Sequence, residues 1–195
     1  MVHQAYSNVR AILHLARKQK YLVEDPAEDL VLPLTMPVEK PVIEREQILA
    51  VLGAVTDLRD FCLLSIGIFS GPRASEVFGL QWKSWTGEAL LPKGTAYDGK
   101  LYPGRLKTKA SKGPIVVPEF VRPIIEAWKR IAPDTSPEAL MFPTFGRRER
   151  KGELVPYSSK NFLRTRIRPI AVRLGVPGVL TCTLLKRSCQ FVVLV

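Results

Sequence analysis

Arg73 and Glu76 lie three residues apart in the stretch 71–82, GPRASEVFGLQW, and that stretch holds more potential chemistry than any other part of the 195-residue chain. The pair Gly71-Pro72 opens a short helix directly behind the nearly uncharged run 61–70. Arg73 is thereby set at a helix start, where backbone N–H groups point outward and a guanidinium adds a rigid fork of donors. Such a place can hold a phosphate. The same residues also read as a surface ion pair one turn apart on an amphipathic helix.

Further cations come in runs. Lys107, Lys109 and Lys112 crowd one short segment, Arg147, Arg148, Arg150 and Lys151 a second, and Lys186 and Arg187 a third. A charge run is ordinarily a solvated face. The net charge of +11 points instead to a polyanionic partner, such as nucleic acid. Nothing resembles a phosphate-cradling glycine loop, a metal-ligand cluster or a Ser/His/Asp set, so other catalytic classes have no support. Cys62, Cys182 and Cys189 form neither an even disulfide set nor a metal spacing, which leaves reduced thiols as the expectation. The N-terminal stretch lacks a signal-peptide pattern, and the longest apolar run is far too short to span a bilayer. A cytoplasmic protein without membrane, metal or cofactor is expected.

The elements that must carry these residues follow from periodicity. In 4–22 the apolar Val9, Ile12, Leu13 and Ala16 recur at helical spacing, with Arg10, Arg17, Lys18 and Lys20 off the stripe. A lone amphipathic helix cannot bury its stripe, so this one is expected to belong to a helical module with earlier helices. His14 reads as solvated or packed rather than as a ligand. Pro26, Pro33, Pro37 and Pro41 mark an extended linker. A helix at 44–55 and a second, apolar helix capped by Asp57 precede the Arg73 stretch. Glycines at 87, 94, 99, 104 and 113 then punctuate segments suited to a small antiparallel sheet, with 115–117 its clearest strand. Helices resume at 119–131 and 158–174, the latter capped by Ser158 or Ser159 and kinked at Pro169. The fold class expected is α+β and mainly helical.

The stretch 71–82 resembles the first arginine box of the tyrosine recombinases, the phage-integrase family, through Gly71, Arg73, Ser75, Glu76, Leu80 and Trp82. Pro72 takes a slot usually filled by a branched apolar residue. Two further stretches match in the family's order. Residues 6–30 are similar to the last helix of its core-binding domain and the exit that follows. Residues 107–112, KTKASK, with Ile115-Val116-Val117-Pro118, resemble its lysine-bearing β-hairpin.

The resemblance implies an integrase-like catalytic domain over 37–195, preceded by the C-terminal part of a helical core-binding domain over 1–36. It implies DNA breakage and rejoining through a phosphotyrosine, used for integration or excision by phages and mobile elements, with DNA and other recombinase protomers as partners. Arg73 would bind the scissile phosphate, Glu76 would orient the site, and Lys107 or, in another register, Lys109 would be the general acid. Lys107, Lys109, Lys112, Arg147, Arg148 and Arg150 would follow the DNA backbone. No metal is implied, since guanidinium groups balance the charge on phosphorus.

The second box departs from the family. Aligned on Leu185, Thr183 stands where a His is usual and Lys186 where an Arg is usual, with Arg187 one residue later. Lysine keeps the charge but loses the bidentate fork. The tyrosines Tyr6, Tyr21, Tyr97, Tyr102 and Tyr157 all precede this box, whereas the family's nucleophile follows it. The expectation is a C-terminally truncated recombinase that lacks strand transfer. A DNA-binding module antagonising a longer relative, or a non-functional gene remnant, are the alternatives.

Overall fold

The computed structural model describes residues 2–31, 43–105, 113–146 and 150–176, which fall into two compact units divided between Lys40 and Pro41. In the first unit, α1 (Val2–Lys18) is followed by a segment tied back to it by a bond from the Tyr6 hydroxyl to the Leu30 carbonyl at 3.4 Å. Val9, Ile12 and Leu15 are exposed, as is His14, while Leu13 and Ala16 are half-buried.

The second unit is built around α3 (Leu58–Phe69). Asp57 caps it as expected, its carboxylate accepting the Asp60 N–H at 3.1 Å. Cys62, Leu63, Leu64, Ile66 and Ile68 are all buried, so the helix is apolar on nearly every side and must be enclosed. The enclosing residues are Ile48, Val51 and Leu52 of α2 (Arg45–Gly53), Ile125 and Trp128 of α5 (Arg122–Ile131), and the segments around Met141, Phe162 and Ile167. Enclosure drives the Cys62 thiol far above its ordinary pKa, which leaves it an inert packing group. Helix α4 (Ala74–Val77) lies just past the end of α3.

Among the described residues the strands form three separate antiparallel ladders rather than one sheet. β1 (Ala89–Leu90) pairs with β4 (Ile115–Val116), β2 (Gly94–Tyr97) with β3 (Lys100–Pro103), and β5 (Pro143–Phe145) with β6 (Leu154–Pro156). The architecture is therefore α+β and mainly helical, with strand content small and antiparallel but dispersed. Each ladder is too short to stand alone.

The long helix expected over 158–174 is broken in an informative way. Ser158 is at the N-cap position of α6 (Ser159–Phe162), a π turn follows (Leu163–Ile167), and α7 (Arg168–Arg173) carries Pro169 in its first turn. The Arg168 N–H reaches back to the Leu163 carbonyl, a five-residue step. Proline has no N–H to offer the carbonyl four residues earlier, so the chain widens its turn ahead of Pro169 instead of simply bending at it.

That π turn is fixed to α3 by charge. Asp60, 3% exposed, takes Arg59 Nε and Nη2 on one oxygen at 2.9 and 2.6 Å and Arg166 Nε on the other at 3.1 Å. Arg59 also donates Nη1 to the Pro143 carbonyl at 3.0 Å, which brings β5 into the same knot. Burial raises the Asp60 pKa, and the Arg59 guanidinium opposes that rise without cancelling it. The folded chain therefore holds the Asp60 proton more tightly than the unfolded chain does. The cost of the buried charge disappears as pH falls through the raised pKa, so Asp60 opposes acid unfolding rather than driving it.

Asp60→Ala should cost about 2 to 4 kcal/mol, because it takes the carboxylate from a part-buried Arg59 and a half-exposed Arg166. Asp60→Asn keeps an acceptor for Arg59 and releases only the half-exposed Arg166, so its cost should be nearer 1 to 2 kcal/mol. Urea melts of the two variants check this ordering, and equal costs would show that the knot is not what holds the π turn.

Candidate phosphate-binding site

Helix α3 ends at Ser70, and Gly71 follows in the left-handed region at φ +65°, the conformation that a helix-terminating glycine adopts without a Cβ penalty. Pro72 is buried, and Arg73 leaves it extended at φ −71°, ψ 146° as the N-cap residue of α4. An arginine side chain cannot accept a cap bond. Glu76 supplies the cap in reverse, its Oε2 accepting the Arg73 backbone N–H at 2.9 Å while Oε1 accepts Arg73 Nη1, also at 2.9 Å. One carboxylate thus fixes both the backbone and the head group of Arg73.

The two partners differ sharply in environment. The Glu76 side chain is 4% exposed and that of Arg73 is 44% exposed. The geometry falls between the two readings of the sequence: the ion pair forms, yet only its acidic half is buried. The cation reaches toward solvent from an anchored base. Because α4 has only four residues, its dipole adds little, and any phosphate grip must come from the guanidinium rather than from a helix N-terminus.

The rest of the stretch is packing. Val77, Phe78, Leu80 and Trp82 are core residues, and Trp82 Nε1 donates to the Asp134 carbonyl at 2.9 Å. Gly79 permits a close approach, since a Cβ there would lie 2.8 Å from the Ala96 nitrogen of β2. The hairpin of β2 and β3 is thereby seated directly against the exit of α4.

Among the other candidates, Arg150 is part-buried and donates Nη1 to the Gly99 carbonyl at 2.9 Å. Lys107, Lys109, Lys112, Arg147, Arg148, Lys186 and Arg187 lie outside the described residues, as does Thr183. Tyr157 is held as a packing residue. Its ring meets Phe78 and Phe162 edge-on at 6.4 and 5.7 Å, Arg59 lies over it at 5.3 Å, and its hydroxyl is 3.3 Å from Thr165 Oγ1. The Asp60 knot was not foreseen from sequence, because its members are separated by up to about a hundred positions. Among the described residues no group of three His, Cys, Asp or Glu could hold a metal. No described helix is long and apolar enough to cross a membrane.

This architecture is that of an integrase-like domain. In particular, the chain is similar in fold to the crystal structure of XerA recombinase, with a TM-score of 0.58 at 16% sequence identity. The match covers the whole of this chain and 62% of that one, so the chain spans rather less than two thirds of the recombinase's length. No protein-family model and no curated protein matches the sequence.

Arg73→Ala leaves the buried Glu76 carboxylate facing one backbone N–H, and should cost about 1 to 3 kcal/mol. Arg73→Ala combined with Glu76→Gln should cost less than the sum of the single changes, since the glutamine no longer carries an uncompensated charge. Thermal melts in a double-mutant cycle measure this coupling, and additivity to within about 0.5 kcal/mol would show that the pair is not a structural unit.

Proposed function

We propose that this chain is a DNA-binding part of a tyrosine-recombinase-type integrase, in which Arg73 grips a backbone phosphate and Glu76 orients it. The observation that carries the reading is the pairing of a half-exposed arginine with a buried carboxylate, on a fold similar to that of a recombinase. A planar fork held at a fixed angle suits the two non-bridging oxygens of a phosphodiester, which a flexible lysine would meet only as a point charge. The division of the chain near Lys40 supports a core-binding segment, 1–36, followed by a catalytic segment, 37–195. In this reading Lys107 or Lys109 serves as the acid toward the leaving oxygen, and Lys186 or Arg187 as the second cation. The partners are double-stranded DNA and other recombinase protomers, in the setting of a phage or other mobile element.

Strand transfer also needs a tyrosine hydroxyl in line with the phosphorus. Tyr157 is half-buried with its ring packed on Phe78, Phe162 and Arg59, and Tyr97 and Tyr102 belong to the β2–β3 hairpin. In this reading the polypeptide by itself holds DNA without cutting it, and should form no covalent adduct with nicked or suicide duplexes. A DNA adduct that survives SDS and maps to one of its five tyrosines would overturn that.

Binding itself is read by fluorescence anisotropy against salt. Each phosphate neutralised should contribute roughly 0.9 to the fall of log affinity with log salt. Arg73→Ala, and separately the joint replacement of Lys107, Lys109 and Lys112 by Ala, should flatten the slope. An affinity that stays level from low to high salt would sink the phosphate-tracking surface altogether.

A further inference from the structure

The β2–β3 hairpin turns through Asp98 at φ +48° and Gly99 at φ +68°. Two successive residues in the left-handed region make the tight turn that Asp-Gly favours, and only glycine occupies the second position without strain. The ladder pairs 94–97 with 100–103, so the Gly99 carbonyl lies outside it and needs a partner from elsewhere. Arg150 provides one from the connection between β5 and β6.

Arg150 is itself well fixed. Its carbonyl accepts the Glu153 N–H at 3.1 Å, and the Gly146 N–H closes the same connection on the Glu153 carbonyl at 2.8 Å. Its guanidinium is packed close against the turn, since a Cβ added at Gly99 would lie 3.3 Å from Nη2. A cation with an anchored backbone and a part-buried head group bonded to a turn carbonyl is poorly placed to follow a mobile polyanion.

We propose that Arg150 is a positioning residue, a latch on the tip of the β2–β3 hairpin, rather than a phosphate contact. Among the described residues the hairpin is held along β3 by β6 and at two further points. Its base rests on the exit of α4, where Gly79 lets the β2 backbone come close, and its tip is held by Arg150. Release of the tip leaves the turn without its tie to the β5–β6 connection, and a ladder of four pairs has little stability of its own to hold that end closed. The latch therefore fixes the turn end of the hairpin, opposite the end from which β3 leaves at Pro103. The salt slope expected on DNA rests on the proposed function, whereas the latch itself does not.

Amide hydrogen exchange on the full chain without DNA separates the possibilities. In Arg150→Ala the amides of 95–102 should exchange about tenfold faster or more, while those of α3 stay unchanged. Arg150→Lys, which restores a donor on a long stem, should recover most of the protection. Anisotropy titrations of the same proteins on duplex DNA should give the same salt slope for Arg150→Ala as for the parent chain. Unchanged hairpin exchange in Arg150→Ala, with or without a salt slope shallower by roughly 0.9, would overturn the latch, and the shallower slope would mark Arg150 as a phosphate contact instead. If no form of the chain binds DNA while the exchange result holds, the latch stands and the DNA reading falls.

Discussion

A helix that is apolar on nearly every side has to be enclosed, and everything polar at its ends must then be satisfied locally. Helix α3 sets that requirement for the second unit. At its start, Asp57 caps the backbone, and Asp60 gathers Arg59 and Arg166 into a knot that also holds β5 and the π turn. At its end, Gly71 and Pro72 turn the chain out of the core and deliver Arg73 to the surface. The candidate site is thus the place where the most buried helix of the fold gives way to solvent. Displacing α3 by an ångström would displace Arg73 with it.

What the end of α3 delivers is an oriented cation rather than a strong one. Glu76 takes one edge of the guanidinium and partly offsets its charge, which weakens any long-range pull on a polyanion. In return, the carboxylate removes much of the rotamer freedom that an arginine would otherwise lose on binding, a loss that can reach about 2 kcal/mol. For a group that must meet one phosphate at a fixed angle, orientation is the more useful of the two. The burial of Glu76 makes the arrangement stiff, because a carboxylate with 4% of its surface exposed cannot exchange Arg73 for water without a desolvation penalty.

Local signals were legible in the sequence and long-range ones were not. The Asp57 cap, the Gly-Pro exit and the Arg73–Glu76 spacing all act within four residues, and each lies where the pattern put it. The strand expected at 115–117 forms over 115–116, and the helix expected at 119–131 begins as a 3-10 turn at 119–121 and is α-helical over 122–131, so alternation and period located both to within a few residues. By contrast, the sequence does not reveal that Asp60 meets Arg166, or that Arg150 meets Gly99. Charged residues carry no periodic label for a partner many tens of positions away. The π turn was half legible: Pro169 announced an irregularity, but not that a wider turn ahead of it would absorb the missing N–H. The dispersal of strands into three ladders also escaped a pattern that shows only where strands are, not which edges meet.

The three ladders explain where part of the charge goes. Strands of two to four residues cannot hold a sheet together through backbone bonds alone. β1 and β4 are secured by Leu90 and by Val117 just beyond β4, both fully buried. β5 is fastened by Arg59 at Pro143, and the β2–β3 tip by Arg150 at Gly99. Arg166 spans the gap between α3 and the π turn in the same way. These arginines act as fasteners, and Arg59 and Arg166 have their charge largely balanced by Asp57 and Asp60. The net charge of +11 is therefore a poor guide to how many cations face a polyanion. A basic composition can arise because a fold with little sheet and short ladders needs long, multidentate side chains to span its gaps. In Arg73 the pairing with Glu76 secures its own turn, one carboxylate holding both the backbone N–H and the guanidinium, whereas Arg59 and Arg150 each donate to a carbonyl of a distant strand or turn.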